Sequence, residues 1–306
     1  MFFILTLILV SIFVFFFIQY YKTRINVIGI NTIGGLGNIL FQFAFIYSLA
    51  RDSNCKFTII GIQDYQNPHS NTDLQFIKKR IITLPNYVST FTQTPVQIQE
   101  FNEFKCDKYK TDLHENLNFT GYYQTEKYFS KYRKEILEIL KEPSHVTCVL
   151  DSSDIDFDNG FFLHIRLTDF GAPHKVSNST QMVSICLSMD YYEKCIQLLP
   201  IHIQTIYVFS DDIPGAENIL QSIDKNFIFI SDLNEIETLY SMARMKYGGI
   251  CANSTFSWWG SWLNNSPNKL IYMPKPWLTT HNCVDIYPSY ATIIQYENHN
   301  FQKKLD

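Results

Sequence analysis

Between residues 161 and 273 the chain alternates between short β-branched or aromatic runs and helical patterns, and nothing else in it constrains the fold as tightly. Strands are expected at 161–167, 205–210, 227–230, 249–252 and 270–273, with helices at 189–199, 216–223, 235–246 and 256–264. Strands separated by helices cannot pair as hairpins. Each returns through a crossover, which builds a parallel sheet with helices on both faces. In such a sheet, ligands bind outside the carboxyl ends of the strands.

The first half repeats the theme less completely. Residues 26–33 read as a β-branched strand broken by Gly34-Gly35-Leu36-Gly37-Asn38, and 39–51 as a buried helix. Residues 55–110 carry mixed signals and no element is assigned there. Residues 130–142 form an amphipathic pattern with Tyr132, Ile136, Ile139 and Leu140 on one face, ended by Pro143. A polar, acidic stretch at 151–160 reads as a linker. The expected organisation is therefore one domain at 26–150, the linker, a second domain at 161–295, and a tail at 296–306.

Ahead of these lies an uncharged apolar run at 2–18, followed by Tyr20, Tyr21, Lys22 and Arg24. Seventeen helical residues span roughly 26 Å, close to a thin bilayer core. The aromatic pair and the cations sit where a membrane interface would place them. A cleaved leader would carry a charged start and a small-residue cleavage site, which this run lacks. Residues 1–21 are accordingly read as a single transmembrane signal-anchor, although its flanking cations argue mildly against export of the following domains.

Composition excludes more than it selects. Net charge is −4 and no Lys/Arg stripe is visible, so a nucleic-acid partner is not expected. The seven cysteines form no Cys-x-x-Cys pair, which argues against zinc ribbons and dithiol redox motifs.

Three expected strand ends carry polar clusters. The first is His164-Ile165-Arg166-Leu167-Thr168-Asp169, where Arg166 can fork two donors onto a phosphate or else pair with an Asp to hold the strand end. The second is Ser210-Asp211-Asp212, whose carboxylates can take a guanine edge or a metal, or cap the helix that begins near Pro214. The third is Asn253-Ser254-Thr255-Phe256-Ser257, where small hydroxyl residues open a helix whose amino end suits an anion. An Asp-x-Asp pair at Asp154 and Asp156 has the spacing of a divalent-metal motif, but it precedes a strand and reads better as a solvated acidic loop. Asn118, Asn178, Asn253 and Asn264 begin N-x-Ser/Thr sequons; Asn118 and Asn178 are the expected glycan sites if the domain is exported.

These segments, taken with Phe41-Gln42, Gly121-Tyr122-Tyr123-Gln124-Thr125-Glu126, Leu239-Tyr240-Ser241-Met242-Ala243 and the run from Ala252 through Trp258-Trp259-Gly260-Ser261-Trp262 to Asn264, resemble the galactoside α-1,2-fucosyltransferases of glycosyltransferase family 11. The likeness covers roughly residues 30–280. It implies two Rossmann-like domains of the GT-B type facing a cleft, with 26–150 on the acceptor side and 161–295 binding the GDP-fucose donor, and an inverting, metal-independent transfer of L-fucose from GDP-β-L-fucose to a terminal galactose of a glycan acceptor. No cofactor is implied. Arg166 would stabilise the departing diphosphate, and His164 with Asp211 or Asp212 would lie against guanosine. Asn253, Ser254, Thr255 and Ser257 would belong to the donor site and its phosphate cradle; Gly35, Gly37 and Asn38 would line the cleft from the first domain. Asp169 and His174 are the candidate bases. The resemblance further implies a type II Golgi enzyme in a eukaryotic host. One departure stands out: the family pattern His-x-Arg-Arg-Gly-Asp has Leu167 and Thr168 here. Two other readings stay open, a non-catalytic nucleotide-sugar or glycan binder and a metal-dependent transferase using Asp154 and Asp156.

Overall fold

The computed structural model describes residues 26–64, 75–91, 93–100, 105–109, 115–168, 174–175, 181–182, 186–278 and 281–296. The expected anchor at 1–21, Asp169 and Asn178 lie outside them. Among the described residues no helix is long and apolar enough to cross a membrane.

The chain begins with β1 (Val27–Asn31), α1 (Leu36–Ser53), β2 (Lys56–Ile60), α2 (Gln75–Ile82), β3 (Val96–Gln99) and β4 (Leu117–Thr120). These strands form a sheet in the order β2-β1-β4-β3, every neighbour parallel. Helices α3 (Arg133–Ile139) and α4 (Ser144–Asp151) follow. A second sheet uses β5 (Phe162–Ile165), β8 (Thr205–Ser210), β9 (Asn226–Ile230), β10 (Gly248–Ile250), β11 (Leu270–Lys275) and β12 (Ala291–Gln295). Between them run α5 (Met189–Gln197), α6 (Ile213–Leu220), α7 (Glu235–Arg244) and α8 (Thr255–Leu263). A two-residue hairpin pairs β6 (His174–Lys175) with β7 (Gln181–Met182). The order of the second sheet is β12-β11-β10-β5-β8-β9, again wholly parallel. The molecule is thus an α/β protein with two parallel sheets.

That order contains the decisive topological feature. The chain steps outward from β5 through β8 to β9, then crosses back and lays β10 on the other side of β5. The sheet reverses direction between β5 and β10, and the crevice above such a reversal is where open α/β sheets bind ligands.

Burial explains why the alternation was legible. In β5 and β8 successive side chains serve two different cores: Phe162, Tyr207 and Phe209 on one face, Leu163, Ile165, Ile206 and Val208 on the other. The first core also links the two sheets. Helix α1, buried along most of its length, packs on α8 through Phe41 and the rings of Trp258 at 4.4 Å and Trp259 at 5.2 Å. Phe129 stacks on Trp259 with ring centroids 5.6 Å apart and meets Trp262 edge-on at 5.4 Å. The tryptophan-rich run therefore serves chiefly to pack α8 against the first half.

Some boundaries moved for identifiable reasons. Strand β5 stops at Ile165 because Asp211 draws the next backbone N–H groups away from the ladder. The helix expected over 130–142 starts as a 3-10 turn (Ser130–Tyr132) and ends at Ile139, where the Tyr240 hydroxyl takes the Leu140 carbonyl. The stretch read as a linker is fastened rather than free: Asp156 N–H donates to the Tyr207 hydroxyl at 2.9 Å and Phe157 packs beneath Arg244. All seven cysteines are free thiols. Asn118 is not the accessible sequon expected; it is buried within β4, as Asn253 and Asn264 are at their own positions.

Candidate active site

Three adjacent strands, β10, β5 and β8, end together, and the polar clusters follow directly from those ends. His164 is the penultimate residue of β5 and only 4% exposed. Its ring lies 5.7 Å from that of Phe256 in the first turn of α8. Burial, reinforced by the Arg166 charge and opposed by Asp211, pushes its pKa down to about 3. The imidazole is therefore neutral at physiological pH, and its Nδ1 has no hydrogen-bond partner among the described residues. A buried, unpaired nitrogen at a strand end is costly unless something else completes it.

Arg166 sits just past the strand, one-fifth exposed, with Nε 3.2 Å from Asp211 Oδ2. Asp211 is occupied by the protein itself. It accepts from Leu167 N–H at 2.8 Å, Thr168 N–H at 3.0 Å and the Thr168 hydroxyl. Burial alone would raise its pKa, but these bonds and Arg166 hold it below the usual carboxylate value. Asp211 thus pairs with the guanidinium and fixes the turn behind it. Asp212 caps α6, accepting from Gly215 N–H at 3.1 Å. Both carboxylates are turned toward protein donors. Leu167, where the family pattern has a second Arg, packs toward Gly215, where an added Cβ would fall 2.7 Å from Leu167 Cδ1.

The third cluster is the amino end of α8. Ser254 is its N-cap, accepting from Phe256 N–H at 3.3 Å, and the Ser257 hydroxyl donates to the Ser254 carbonyl. Asn253 is buried and donates to the Trp277 carbonyl. Directly opposite stands the amino end of α1, whose N-cap Gly35 offers no side-chain bond. The approach is close enough to demand glycine: a Cβ on Gly37 would lie 2.6 Å from Thr255 Oγ1 and 2.8 Å from Phe256 N. Two helix amino ends, one from each sheet, meet beside His164. Each carries partial positive charge from its aligned peptide dipoles. The combination suits a multiply charged anion.

Side chains that sequence reasoning left without a role hold the α1 side in place. Gln42, fully buried, accepts from Ile33 N–H and donates to the carbonyls of Ile33 and Gly121. Gln124 donates to Asn38 Oδ1 at 2.8 Å. Glu100, also buried, accepts from Tyr122 N–H at 2.6 Å and Tyr123 N–H at 3.0 Å, pinning a turn in which Tyr123 adopts a left-handed φ of 54°. Gln42 and Gln124 fell within quoted motifs. Glu100 had no local signal, since its partners lie more than twenty residues ahead.

Of the remaining candidates, His174 lies in β6, whose backbone pairs with β7. Asp154 and Asp156 stand in the loop before β5, at the edge opposite Arg166, and Asp156 closes a local turn with Asn159. No cluster of metal-ligating side chains exists among the described residues.

Comparison with known proteins gives the family. The family described as Glycosyl transferase family 11 matches residues 4–279. An alpha-1,2-colitosyltransferase of Escherichia coli is 28% identical over 270 residues, covering 80% of this chain and 90% of the relative. The O-antigen biosynthesis glycosyltransferase WbnK of Escherichia coli is 27% identical, covering 81% and 94%. Among solved structures, the fucosyltransferase NodZ from Bradyrhizobium covers 78% of this chain and 92% of its own with a TM-score of 0.48 at 12% identity.

Proposed function

The chain belongs to glycosyl transferase family 11, and we propose that within this glycosyltransferase family it moves L-fucose from GDP-β-L-fucose to the 2-hydroxyl of a galactoside, inverting the anomeric centre to give an α-1,2 linkage. The observation that carries the reading is the meeting of two helix amino ends beside Arg166 and His164. A relative named as an alpha-1,2-colitosyltransferase supports the linkage.

The acceptor oxygen attacks C1 from the face opposite the nucleotide, the C1–O bond breaks, and its electron pair leaves on the β-phosphate of GDP. Negative charge grows on the diphosphate while the sugar becomes oxocarbenium-like. Arg166, paired with Asp211, and the α1 and α8 amino ends supply fixed positive potential where that charge develops. Neutral His164 can exchange a hydrogen bond with the donor without adding a second cation. The proton of the acceptor hydroxyl needs a receiver, and Asp169 and His174 are the candidates. Asp154 and Asp156, on the far edge of the sheet, are not placed to hold a metal against the same diphosphate.

The deciding experiment incubates the purified protein with GDP-fucose, GDP-colitose and a panel of galactosides, with and without EDTA. Transfer to a terminal galactose that survives EDTA, with the linkage read by NMR, is expected. GDP binding without any product refutes the catalytic reading, and loss of activity restored by manganese refutes metal independence. The apolar run at 2–18 supports membrane attachment of the catalytic body. The full chain should sediment with membranes and a chain beginning at residue 22 should not.

A further inference from the structure

Helix α8 brings one of the two amino ends to the site, and its opposite end carries charges that the transfer chemistry does not use. The last carbonyls of a helix lack partners within it and bear partial negative charge. Lys269, in the turn before β11, donates from Nζ to the carbonyls of Ser261 and Asn264, both at 2.6 Å. Arg133, the first residue of α3, donates from Nη2 to the Asn264 carbonyl at 3.4 Å and to Asn265 Oδ1 at 3.2 Å. Its guanidinium carbon lies 4.3 Å from the centre of the Trp262 ring. Glu126, in the 3-10 turn Glu126–Tyr128, accepts from Trp262 Nε1 and from Ser289 N–H, each at 3.2 Å. The carboxyl end of α8 is thus tied to the first half of the chain by Arg133 and Glu126, and to the start of β11 by Lys269.

Holding the helix end in this way costs stability. Arg133 and Lys269 share the field of one carboxylate, Glu126, and Arg133 Nη1 is buried with no hydrogen-bond partner among the described residues. Desolvated cations are unfavourable unless fully compensated. Burial, then the Arg133 charge, push the Lys269 ammonium down to about 7, opposed by Cys251 and Glu126. Two further groups face it: the Tyr290 ring, 4.2 Å from Nζ, and the Cys251 thiol of the β10 end. Burial pushes the Tyr290 hydroxyl up and the Cys251 thiol up to about 12, so both stay neutral. Lys269 therefore loses its charge near neutral pH, and the charge-assisted bonds to the Ser261 and Asn264 carbonyls weaken to neutral ones.

We propose that Lys269 and Arg133 are positioning residues for the transfer: by gripping the carboxyl end of α8 they set its amino end, at Ser254 and Thr255, against α1 in the donor site. The inference rests on the glycosyltransferase reading of that site. Helix α8 has nine residues, which makes it about 13 Å long. Its middle is packed by Trp258 and Trp259 against Phe41 and Phe129. A short rigid rod held at its middle carries a displacement at one end to the other at similar size. The amino end has no slack to absorb it, since α1 and α8 already touch at Gly37. A misplacement of about 1 Å at a reacting centre costs on the order of 100-fold in rate, so a partial loss of grip should cost about tenfold.

The test compares the full chain with Lys269→Met, which keeps the side-chain bulk and removes the charge, and with Arg133→Met and Arg133→Lys. Between about pH 6 and 9, on either side of the Lys269 transition, kcat and KM for GDP-fucose and the affinity for GDP are measured. Hydrogen exchange of the amides at 255–259 is read alongside by mass spectrometry. Lys269→Met should lower kcat/KM and GDP affinity about tenfold at the acid end, with faster exchange at 255–259. At the alkaline end it should match the parent within about threefold, because the parent has by then lost the same charge. Arg133→Met removes the neighbouring cation and should move the parent's transition to higher pH, whereas Arg133→Lys should leave it in place; this comparison decides the matter if Lys269→Met does not fold. A ratio of variant to parent that is constant with pH, or exchange altered at the carboxyl end of α8 alone, overturns the proposal. If no sugar is transferred, the activity reading fails by itself, and the GDP affinities and exchange ratios still decide the role of the two residues.

Discussion

Adding one methyl group at Gly37 tests the central geometric claim. The backbone there is helical, so alanine adopts it without strain and should favour α1 by about 0.8–1 kcal/mol. The obstacle lies on the facing helix, α8. The new Cβ would stand 2.6 Å from both the carbonyl carbon and Oγ1 of Thr255, and 2.8 Å from Phe256 N. Ordinary contact begins near 3.4 Å, so the two helix ends must separate by about 1 Å. The Thr255 hydroxyl can rotate away, but its backbone is the first turn of α8. Overpacking of this kind costs about 1–3 kcal/mol, partly offset by the gain in helix propensity. Global stability should therefore fall by no more than about 2 kcal/mol. Catalysis should suffer far more, because a misplacement of about 1 Å at a reacting centre costs on the order of 100-fold. The assay compares kcat/KM for GDP-fucose, GDP affinity by calorimetry and the melting temperature for Gly37→Ala and the parent. The expectation is a drop of about 100-fold in kcat/KM with the protein folded. Activity within threefold of the parent would show that the two amino ends do not act together on the donor, and the site would have to lie elsewhere.

Arg166→Ala and Arg166→Lys should each lower turnover about 100- to 1000-fold without unfolding, since lysine keeps the charge but not the planar fork; near-normal rates refute the diphosphate role. His164 is held near pKa 3 when folded and is about 6.5 when unfolded, so the unfolded chain binds the extra proton between those values and stability is lost as pH falls below about 6.5. Going from pH 7 to 5 should cost about 2 kcal/mol in the parent through this group and nothing through it in His164→Gln, read by urea unfolding. Glu100→Gln turns an amide donor toward the Tyr122 and Tyr123 N–H groups and should cost about 1–3 kcal/mol. It should also reduce kcat/KM beyond what the melting temperature explains, because the turn carrying Gln124 to Asn38 loosens; parallel losses would mark it as purely structural.

Much of the second sheet was readable in advance because the side chains of β5 and β8 divide between two apolar cores and the crossover helices show their own period. The polar clusters after β5, β8 and β10 were visible as breaks in that apolar pattern. Their shared location followed from parallel topology. Residues 55–110 hid β2, α2 and β3, since β3 is an exposed edge strand written Val-Gln-Ile-Gln and its pairing partner β4 lies some twenty residues on. The sequon at Asn118 shows the same limit: a motif cannot report that its asparagine sits in the middle of a buried strand.

Local sequence, then, determined which residues would stand at the carboxyl ends of the strands, and with them Arg166, His164 and the capped start of α8. Only the tertiary structure decided which way the carboxylates turned. Asp211 and Asp212 each had three chemically sensible uses, and the nearest backbone donors took them both. It alone brought Gly37 against Thr255, more than two hundred residues apart. Periodicity reports what each segment buries. Which groups face one another between helices depends on contacts between segments whose spacing the local pattern does not encode.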